Sequence, residues 1–392
     1  MINKINLIVD NIFEKIISWR KKIHSNPELS FKEFETSNFI IDTLKTIGVT
    51  DIKKIGPTGL VALIRGKNPN SKCIAVRAEL DALPIIEDNL IEYKSKNHGV
   101  MHACGHDVHM SCLLGTAYVL NELKLSFSGT VKLIFQPAEE LLPGGASIMI
   151  KNGILSNPKI DEIYALHVFP SLNVGKVGLR SGIYMSACDE LFLKVIGKGG
   201  HAALPNQYIN PINIISELLI ELQKFVHKLS NNSKYIFVFG KIFSDGSTNI
   251  IPSEVNAMGT FRTLDENWRN DLHNKIKSFV KNFLISKNAE GEIIIKKGYP
   301  VLINDEKLTQ NSINLFKKII GNENVVKIPI RMTSDDFAYY CHRVPSCYFR
   351  IGVRNEKKGI IHGVHNSRFN IDDDALKVGT KLMSNLVFKS LN

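Results

Sequence analysis

The chain has 392 residues, and because a typical domain has roughly 100–200 residues, we expect two domains that each bury a core. Its formal charge of +11 comes from lysines and arginines that are dispersed rather than clustered, which argues against nucleic acid as its partner. The six cysteines form no CxxC pair and no dense framework, which excludes a disulfide-stapled scaffold and favours a reducing compartment.

The first residues mix Asn, Asp, Glu and Lys among apolar positions, so they lack the uninterrupted apolar core of a signal peptide. No apolar run is long enough to span a bilayer, and we therefore expect a cytoplasmic protein with no membrane partner. Apolar residues at helical spacing predict a helix over residues 7–24 and a second over 34–47, before Gly48.

Strands and helices then alternate up to about residue 168. The predicted strands cover 60–64, 73–78, 130–135 and 162–168, and the predicted helices cover 108–123 and 145–151. This alternation predicts an α/β fold with a mainly parallel sheet and helices on both faces. In such sheets the reactive groups lie in loops that follow the carboxyl ends of the strands.

The pattern changes near residue 184. Strands are predicted over 191–196, 235–243, 253–263 and 292–297, with helices over 211–228 and 266–288. The order βαββαβ is that of a ferredoxin-like α+β domain. We therefore expect a discontinuous catalytic domain over 1–183 and 298–392, with the second domain inserted at 184–297.

The segment Met101 to His109 carries the densest chemical signal. Cys104 and His106 lie two residues apart, so in an extended loop their side chains point to the same side and can bind one metal ion. Gly105 between them lets the backbone fit closely. Thiolate and imidazole are both good ligands for zinc-like ions.

Two adjacent carboxylates, Glu139 and Glu140, follow a predicted strand. Neighbouring side chains diverge, so one carboxylate can bind metal while the other serves as a general base, as metal-assisted hydrolysis requires. His167 and His365 also end apolar or turn-bounded segments. A lone histidine is more often structural than a ligand. Here four elements occur in one α/β chain, and together they favour a metal site: the Cys104/His106 pair, the Glu139/Glu140 pair, His167 and His365.

Taken together, these segments resemble the M20 metallopeptidase family, in particular its amidohydrolase branch. The resemblance covers nearly the whole chain and is carried by residues 24–31, 77–84, 101–107, 136–140, 199–201, 249–252, 334–337 and 365–366. It implies a metal-dependent amidohydrolase that cleaves N-acyl amino acids, of the hippurate hydrolase kind.

The resemblance also implies a site with two divalent metal ions, manganese or zinc first, with cobalt or nickel as alternatives. Cys104 would bridge the two ions. The remaining implied ligands are His106, Glu140, His167 and His365. Glu139 would take a proton from the attacking water and return it to the departing amine.

Further roles are implied for residues of the inserted domain. His201 corresponds to a lid histidine that stabilises the oxyanion, often across a homodimer. Asn249 and Arg262 match lid positions that help to bind substrate, and the arginine would hold its carboxylate. Homodimerisation through the inserted domain is part of the same expectation.

One departure from the family pattern concerns Glu79, which stands where the family has the aspartate of Arg-Ala-Asp. That aspartate is thought to steady a metal-binding histidine, so the added methylene could shift this support and lower metal affinity or rate. We count Glu79 with the catalytic residues for this reason.

Other functions stay open from the sequence. An N-acetyldiaminopimelate deacetylase and a carboxypeptidase would use the same chemistry with differently shaped pockets. A metal-binding but catalytically impaired relative is suggested by Glu79. A nucleic-acid-binding protein is suggested by net charge alone.

Overall fold

The computed structural model describes residues 1–230 and 233–392. The chain forms two compact units. The larger unit comprises Met1–Tyr184, Ile303–Pro329 and Asp336–Asn392, and the smaller unit comprises Met185–Leu302 and Ile330–Asp335. Among the described residues, no helix is both long and apolar enough to cross a membrane.

The larger unit is built on a sheet of eight strands. From one edge to the other they are Asp51–Ile55, Gly59–Arg65, Thr130–Gln136, Cys73–Glu79, Glu162–Asn173, Ser346–Arg354, Val177–Leu179 and Val325–Lys327. The four central strands are mutually parallel, whereas the first two strands and Val177–Leu179 pair antiparallel with at least one neighbour. The sheet is therefore mixed but mostly parallel, which confirms the predicted α/β class.

Helices pack on both faces of this sheet. They are Ile2–Asn11, Phe13–His24, Phe34–Thr46, His106–Glu122, Gly145–Lys151, Glu306–Ile320, Ala338–Cys341 and Asp374–Ser390. Successive strand residues point to opposite faces. Phe349 contacts Phe316 of one helix with ring centroids 5.0 Å apart, while the preceding Tyr348 lies 5.6 Å from Phe337 on the other face. Both faces are thus covered, as predicted.

The first predicted helix is wrong in one respect. Residues 7–24 were expected to form one helix, but the chain forms two, with a break at Ile12. Ile5 and Val9 of the first and Ile16 of the second are all fully buried in the same core. The apolar period is therefore preserved across the break, and periodicity alone cannot register a one-residue interruption.

The smaller unit contains a four-stranded antiparallel sheet and two helices. The strands, in sheet order, are Tyr235–Phe243, Glu254–Thr263, Ala187–Ile196 and Glu290–Lys297, and the helices are Pro211–Leu229 and Glu266–Ser286. Along Ala187–Ile196 every second residue is buried, which directs one face of the sheet at the helices. The chain order is βαββαβ, so the ferredoxin-like prediction is confirmed.

Short strands complete the two units. Gly200–His201 pairs antiparallel with Ile250–Ile251 in the smaller unit. Gly182–Met185 and Leu302–Asn304 lie where the chain passes between the units. The lid and dimerisation roles expected of residues 184–297 stay predictions.

Candidate active site

Cys104 and His106 are brought together by a left-handed turn. Gly105 between them has φ +81°, and His106 is the first residue of the helix His106–Glu122, so the extended loop expected from the sequence was wrong. A Cβ on Gly105 would lie 2.6 Å from a methyl carbon of Val168. Only glycine therefore combines this backbone conformation with this close approach.

Two buried imidazoles are oriented by backbone carbonyls. His106 Nδ1 donates to the carbonyl oxygen of Asp81 at 2.8 Å, and His167 Nδ1 donates to that of Val168 at 2.8 Å. These bonds place the proton on Nδ1 and leave Nε2 of each ring as a ligand atom. His167 Nε2 lies 3.5 Å from Cys104 Sγ.

The two adjacent carboxylates approach different histidines. Glu139 Oε2 lies 3.9 Å from His106 Nε2, and Glu140 Oε1 lies 3.2 Å from His365 Nε2. Ala138, which precedes them, has φ +46°, a conformation that costs a non-glycine residue of order 1–3 kcal/mol. Its N–H donates to the buried Glu33 carboxylate at 2.8 Å, which helps to hold this strained turn.

His365 is held next to the cysteine by its backbone. It also has a positive φ, +60°, and its N–H donates to the carbonyl oxygen of Ala103 at 2.8 Å. Its side chain is 51% exposed, unlike the other candidate ligands. Strain at Ala138 and at His365 marks two turns that the surrounding structure must hold in place.

Three overlapping groups of potential ligand atoms in the larger unit combine residues singled out from the sequence, and a further group is formed by Glu79, His106 and His109. In each group the atoms lie within 4.8 Å of one another: Cys104, His106 and His167; Cys104, Glu140 and His365; and His106, Glu139 and Glu140. The first two groups share the Cys104 sulfur, so these residues could together hold two ions.

The chemistry of these residues fits divalent cations. Within residues 1–230 and 233–392, the buried His106 Nε2 has no hydrogen-bond partner, which a native interior rarely tolerates. Burial, together with the negative charges of Glu140 and Glu139, holds the pKa of the Cys104 thiol well above its usual range. A bound cation would offset this negative charge and favour the thiolate.

Glu79 supports a histidine other than the candidate ligands. Its Oε2 accepts a hydrogen bond from His109 Nδ1 at 2.8 Å, and His109 Nε2 accepts one from the Val168 N–H at 3.0 Å. The His109 ring packs on the His167 ring with centroids 4.5 Å apart. Arg77 pairs with the Glu79 carboxylate. The sequence singled out Glu79 but assigned His109 no specific part, although it is the third histidine of the Met101–His109 segment.

Removing the Glu79 side chain should loosen this support. We expect Glu79→Ala to lower metal affinity about 10–100-fold, because His109 would no longer hold the His167 ring in place. Competition with a chromogenic chelator measures this affinity. Glu356→Ala is a control, because that carboxylate pairs with Arg354 at the surface. Equal affinity in wild type and Glu79→Ala would contradict the supporting role.

The remaining predicted residues lie in the smaller unit. His201 and Asn249 come together in the short antiparallel pair, where the Ala202 N–H donates to the Asn249 carbonyl at 3.1 Å. Both residues are exposed. Arg262 is half-buried, and its Nη1 donates to the carbonyl oxygen of Met332 at 3.1 Å. The roles of all three in binding or catalysis stay predictions.

The chain is similar to several known proteins over most of its length. A model of peptidase family M20/M25/M40 matches residues 75–389. Thermostable carboxypeptidase 2 of Saccharolobus solfataricus is 36% identical over 396 residues, covering 100% of this chain and 99% of that protein. The N-acyl-L-amino acid amidohydrolase of Geobacillus stearothermophilus is 37% identical over 302 residues, covering 77% of this chain and 81% of that protein. The crystal structure of YXEP of Bacillus subtilis, a dinuclear metal-binding peptidase of family M20, matches with a TM-score of 0.82 and 28% identity, covering 97% of this chain and 99% of that one.

Proposed function

The chain belongs to peptidase family M20 and is a hydrolase of its amidohydrolase and peptidase group, and on this premise we propose that it cleaves the amide bond of N-acyl amino acids. The observation that carries the proposal is the set of overlapping Cys, His and Glu groups around one buried thiol, with Glu139 beside it. The amidohydrolase relative supports an acyl amino acid as substrate. The carboxypeptidase relative makes peptides the second candidate.

We propose that the site holds two divalent ions, and we rank manganese and zinc before cobalt and nickel. The residues proposed to hold them are Cys104, His106, Glu140, His167 and His365. Thiolate, imidazole and carboxylate are ligands that all four metals accept. Such ions, when bound, lower the pKa of a water molecule and polarise an amide carbonyl.

Glu139 is proposed as the proton carrier. Its carboxylate takes a proton from water, whose oxygen forms a bond with the carbonyl carbon of the amide. The carbon–nitrogen bond then breaks, and Glu139 returns the proton to the amine nitrogen. We assign His201 the stabilisation of the negative oxygen in this sequence, and Asn249 and Arg262 the binding of substrate.

Release of free amino acid tests the reaction class. The panel comprises N-acetyl, N-benzoyl and indole-acetyl amino acids together with dipeptides, each incubated with metal-loaded protein and with a chelated control. We expect release from the acyl amino acids that the chelator abolishes and added metal restores. Release from dipeptides alone would favour a peptidase.

The same panel separates an active enzyme from an impaired relative. Full metal content without turnover on any compound would contradict the proposal, and recovery of turnover in Glu79→Asp would identify the impaired relative. Release that is indifferent to the chelator would contradict metal dependence.

We also propose a homodimer that forms through residues 184–297. The edge strand Tyr235–Phe243 supports this, because its side chains Val238, Ile242 and Phe243 are 44%, 55% and 45% exposed. An exposed apolar edge strand is a ready site for pairing with another chain. Light scattering tests the proposal, and a clean monomer would remove any role of His201 across subunits.

A further inference from the structure

Arg350 is a charged residue on a central strand beside the candidate metal site. In the parallel pairing of Ser346–Arg354 with Glu162–Asn173, Arg350 lies opposite His167. Residues in register on neighbouring strands point to the same face, and the strands lie about 4.8 Å apart. Tyr348, two residues earlier on that face, has its ring 6.1 Å from the His167 ring. The guanidinium therefore shares the sheet face that carries a candidate metal ligand.

The Arg350 side chain is held in a defined orientation. Its Nε donates to the Tyr184 hydroxyl at 3.0 Å, and its Nη1 donates to the carbonyl oxygen of Val168 at 3.4 Å. The guanidinium carbon lies 5.0 Å from the centre of the Tyr348 ring and 5.9 Å from that of Phe169. Packing against aromatic faces and fixed hydrogen bonds restrict the plane of a guanidinium.

Arg350 is as recessed as the candidate catalytic residues. It is 5% exposed, compared with 7% for Cys104 and 6% for both Glu139 and His167. Its positive charge lies at the metal-binding face, because Arg350 is the register partner of His167, a proposed metal ligand. A cation placed here, beside proposed metal ions, adds to a positive potential that favours an anionic ligand group.

We propose that the Arg350 guanidinium binds the carboxylate of the substrate's amino-acid half and so selects acyl amino acids with a free carboxylate. This inference rests on the proposed function and deepens it. The guanidinium fork carries five N–H donors, so Arg350 can keep its bonds to Tyr184 and Val168 and still donate charge-assisted hydrogen bonds to a carboxylate. In a recessed position such charge-assisted bonds strengthen, because little water competes for them.

Arg262 of the smaller unit is the competing carboxylate ligand. It also donates to backbone, to Met332, and its Nη1 lies 3.4 Å from the Ser334 hydroxyl. What distinguishes Arg350 is its register with His167 within the same sheet. Replacing each arginine in turn therefore decides which one binds the carboxylate of the substrate.

The test compares an N-acetyl amino acid with the same compound bearing a carboxamide in place of the carboxylate. Acetate release reports cleavage of both compounds. In Arg350→Met we expect kcat/KM for the acid to fall about 10- to 100-fold, mainly through KM, while kcat/KM for the amide stays unchanged. Metal content should equal that of wild type. Arg350→Lys keeps the charge but loses the fork, so it should lose part of the preference for the acid.

Controls separate recognition from structure. Arg354→Met removes a half-buried arginine of the same strand, which pairs with the exposed Glu356 at 3.0 Å, and should leave both substrates unaffected. If Arg350→Met fails to fold, the same comparison is made with Arg350→Lys. An unchanged preference of Arg350→Lys for the acid over the amide then overturns the inference. Equal losses of kcat/KM on the acid and on the amide in Arg350→Met also overturn it. A preference for the acid that is lost in Arg262→Met but kept in Arg350→Met overturns it as well. Wild type that cleaves neither compound overturns the proposed function itself.

Discussion

Glu139→Gln is expected to lower kcat about 10²- to 10⁴-fold while leaving the bound metal in place. Glutamine keeps the shape of the side chain but cannot accept a proton at neutral pH. Glu139 lies 3.9 Å from His106 Nε2 and is 6% exposed, so bulk water is poorly placed to substitute for it. Steady-state kinetics on the acyl amino acid cleaved fastest by wild type, with metal analysis of the same samples, measures both quantities.

The neighbouring carboxylate provides the matched comparison. Glu140 approaches His365 instead, and Glu140→Gln should weaken metal binding, with activity partly recovered at high metal concentration. Glu139→Gln should not be rescued in this way. Metal loss in Glu139→Gln as severe as in Glu140→Gln would assign Glu139 to the ligands, and near-normal kcat would remove it from the mechanism.

Asp189→Asn is expected to destabilise the smaller unit by about 3 kcal/mol. Asp189 and Arg269 are 1% and 0% exposed in their side chains, and removing one partner of a buried ion pair typically costs about 3–5 kcal/mol. Asp189 also contacts His273 Nε2 at 2.6 Å and accepts from the Gly298 N–H at 3.0 Å. We choose the lower end because Glu266 still accepts from Arg269 at 3.0 Å.

The effect of this substitution should depend on pH. Burial raises the pKa of Asp189, but hydrogen bonds from His273 and Arg269 outweigh it, so the pKa lies below the ordinary 3.8. A carboxyl with a lowered folded-state pKa contributes its full stability above the unfolded-state value and loses it as the pH falls through the folded-state value. The difference between wild type and Asp189→Asn should therefore be full at about pH 5 and shrink below about pH 4.

Tryptophan fluorescence isolates the relevant unit. The chain has two tryptophans, and Trp268 packs against Phe261 in the core of the smaller unit with ring centroids 5.5 Å apart. In a Trp19→Phe background, urea unfolding followed by Trp268 reports this unit alone. Asp271→Asn, which removes an exposed partner of Lys275, is the control and should change stability by less than about 1 kcal/mol. Equal midpoints for Asp189→Asn and this control would contradict the prediction.

Local pattern was enough to predict most elements up to residue 297, but not their neighbours in the sheet and not the bounds of the elements that follow. The strand Asp51–Ile55 was missed because its residues are mostly exposed and polar, as an edge strand allows. The strand Ser346–Arg354 lies beside Glu162–Asn173, more than 170 residues earlier in the chain. Nothing in either segment specifies that pairing, which depends on closing the whole sheet.

Candidate ligands were accessible from the sequence because they occur in short segments with chemical residues at close spacing. The route by which Glu79 supports them was not. The link from Glu79 through His109 to His167 depends on side-chain orientations that spacing does not determine. Arg350 was missed as well, although a single arginine within the apolar run 347–351 is a signal that could have found it.

The position of the strand Ser346–Arg354 also bears on how the protein is made. This strand fills the centre of the eight-stranded sheet, yet a ribosome delivers it after the entire segment Met185–Leu302. At about 5–20 residues per second, the first 184 residues wait on the order of ten seconds for it. The smaller unit is contiguous in sequence except for Ile330–Asp335, so it can begin to fold during this time. We therefore expect nascent chains to expose an unfinished sheet and to depend on chaperones until Ser346–Arg354 has emerged.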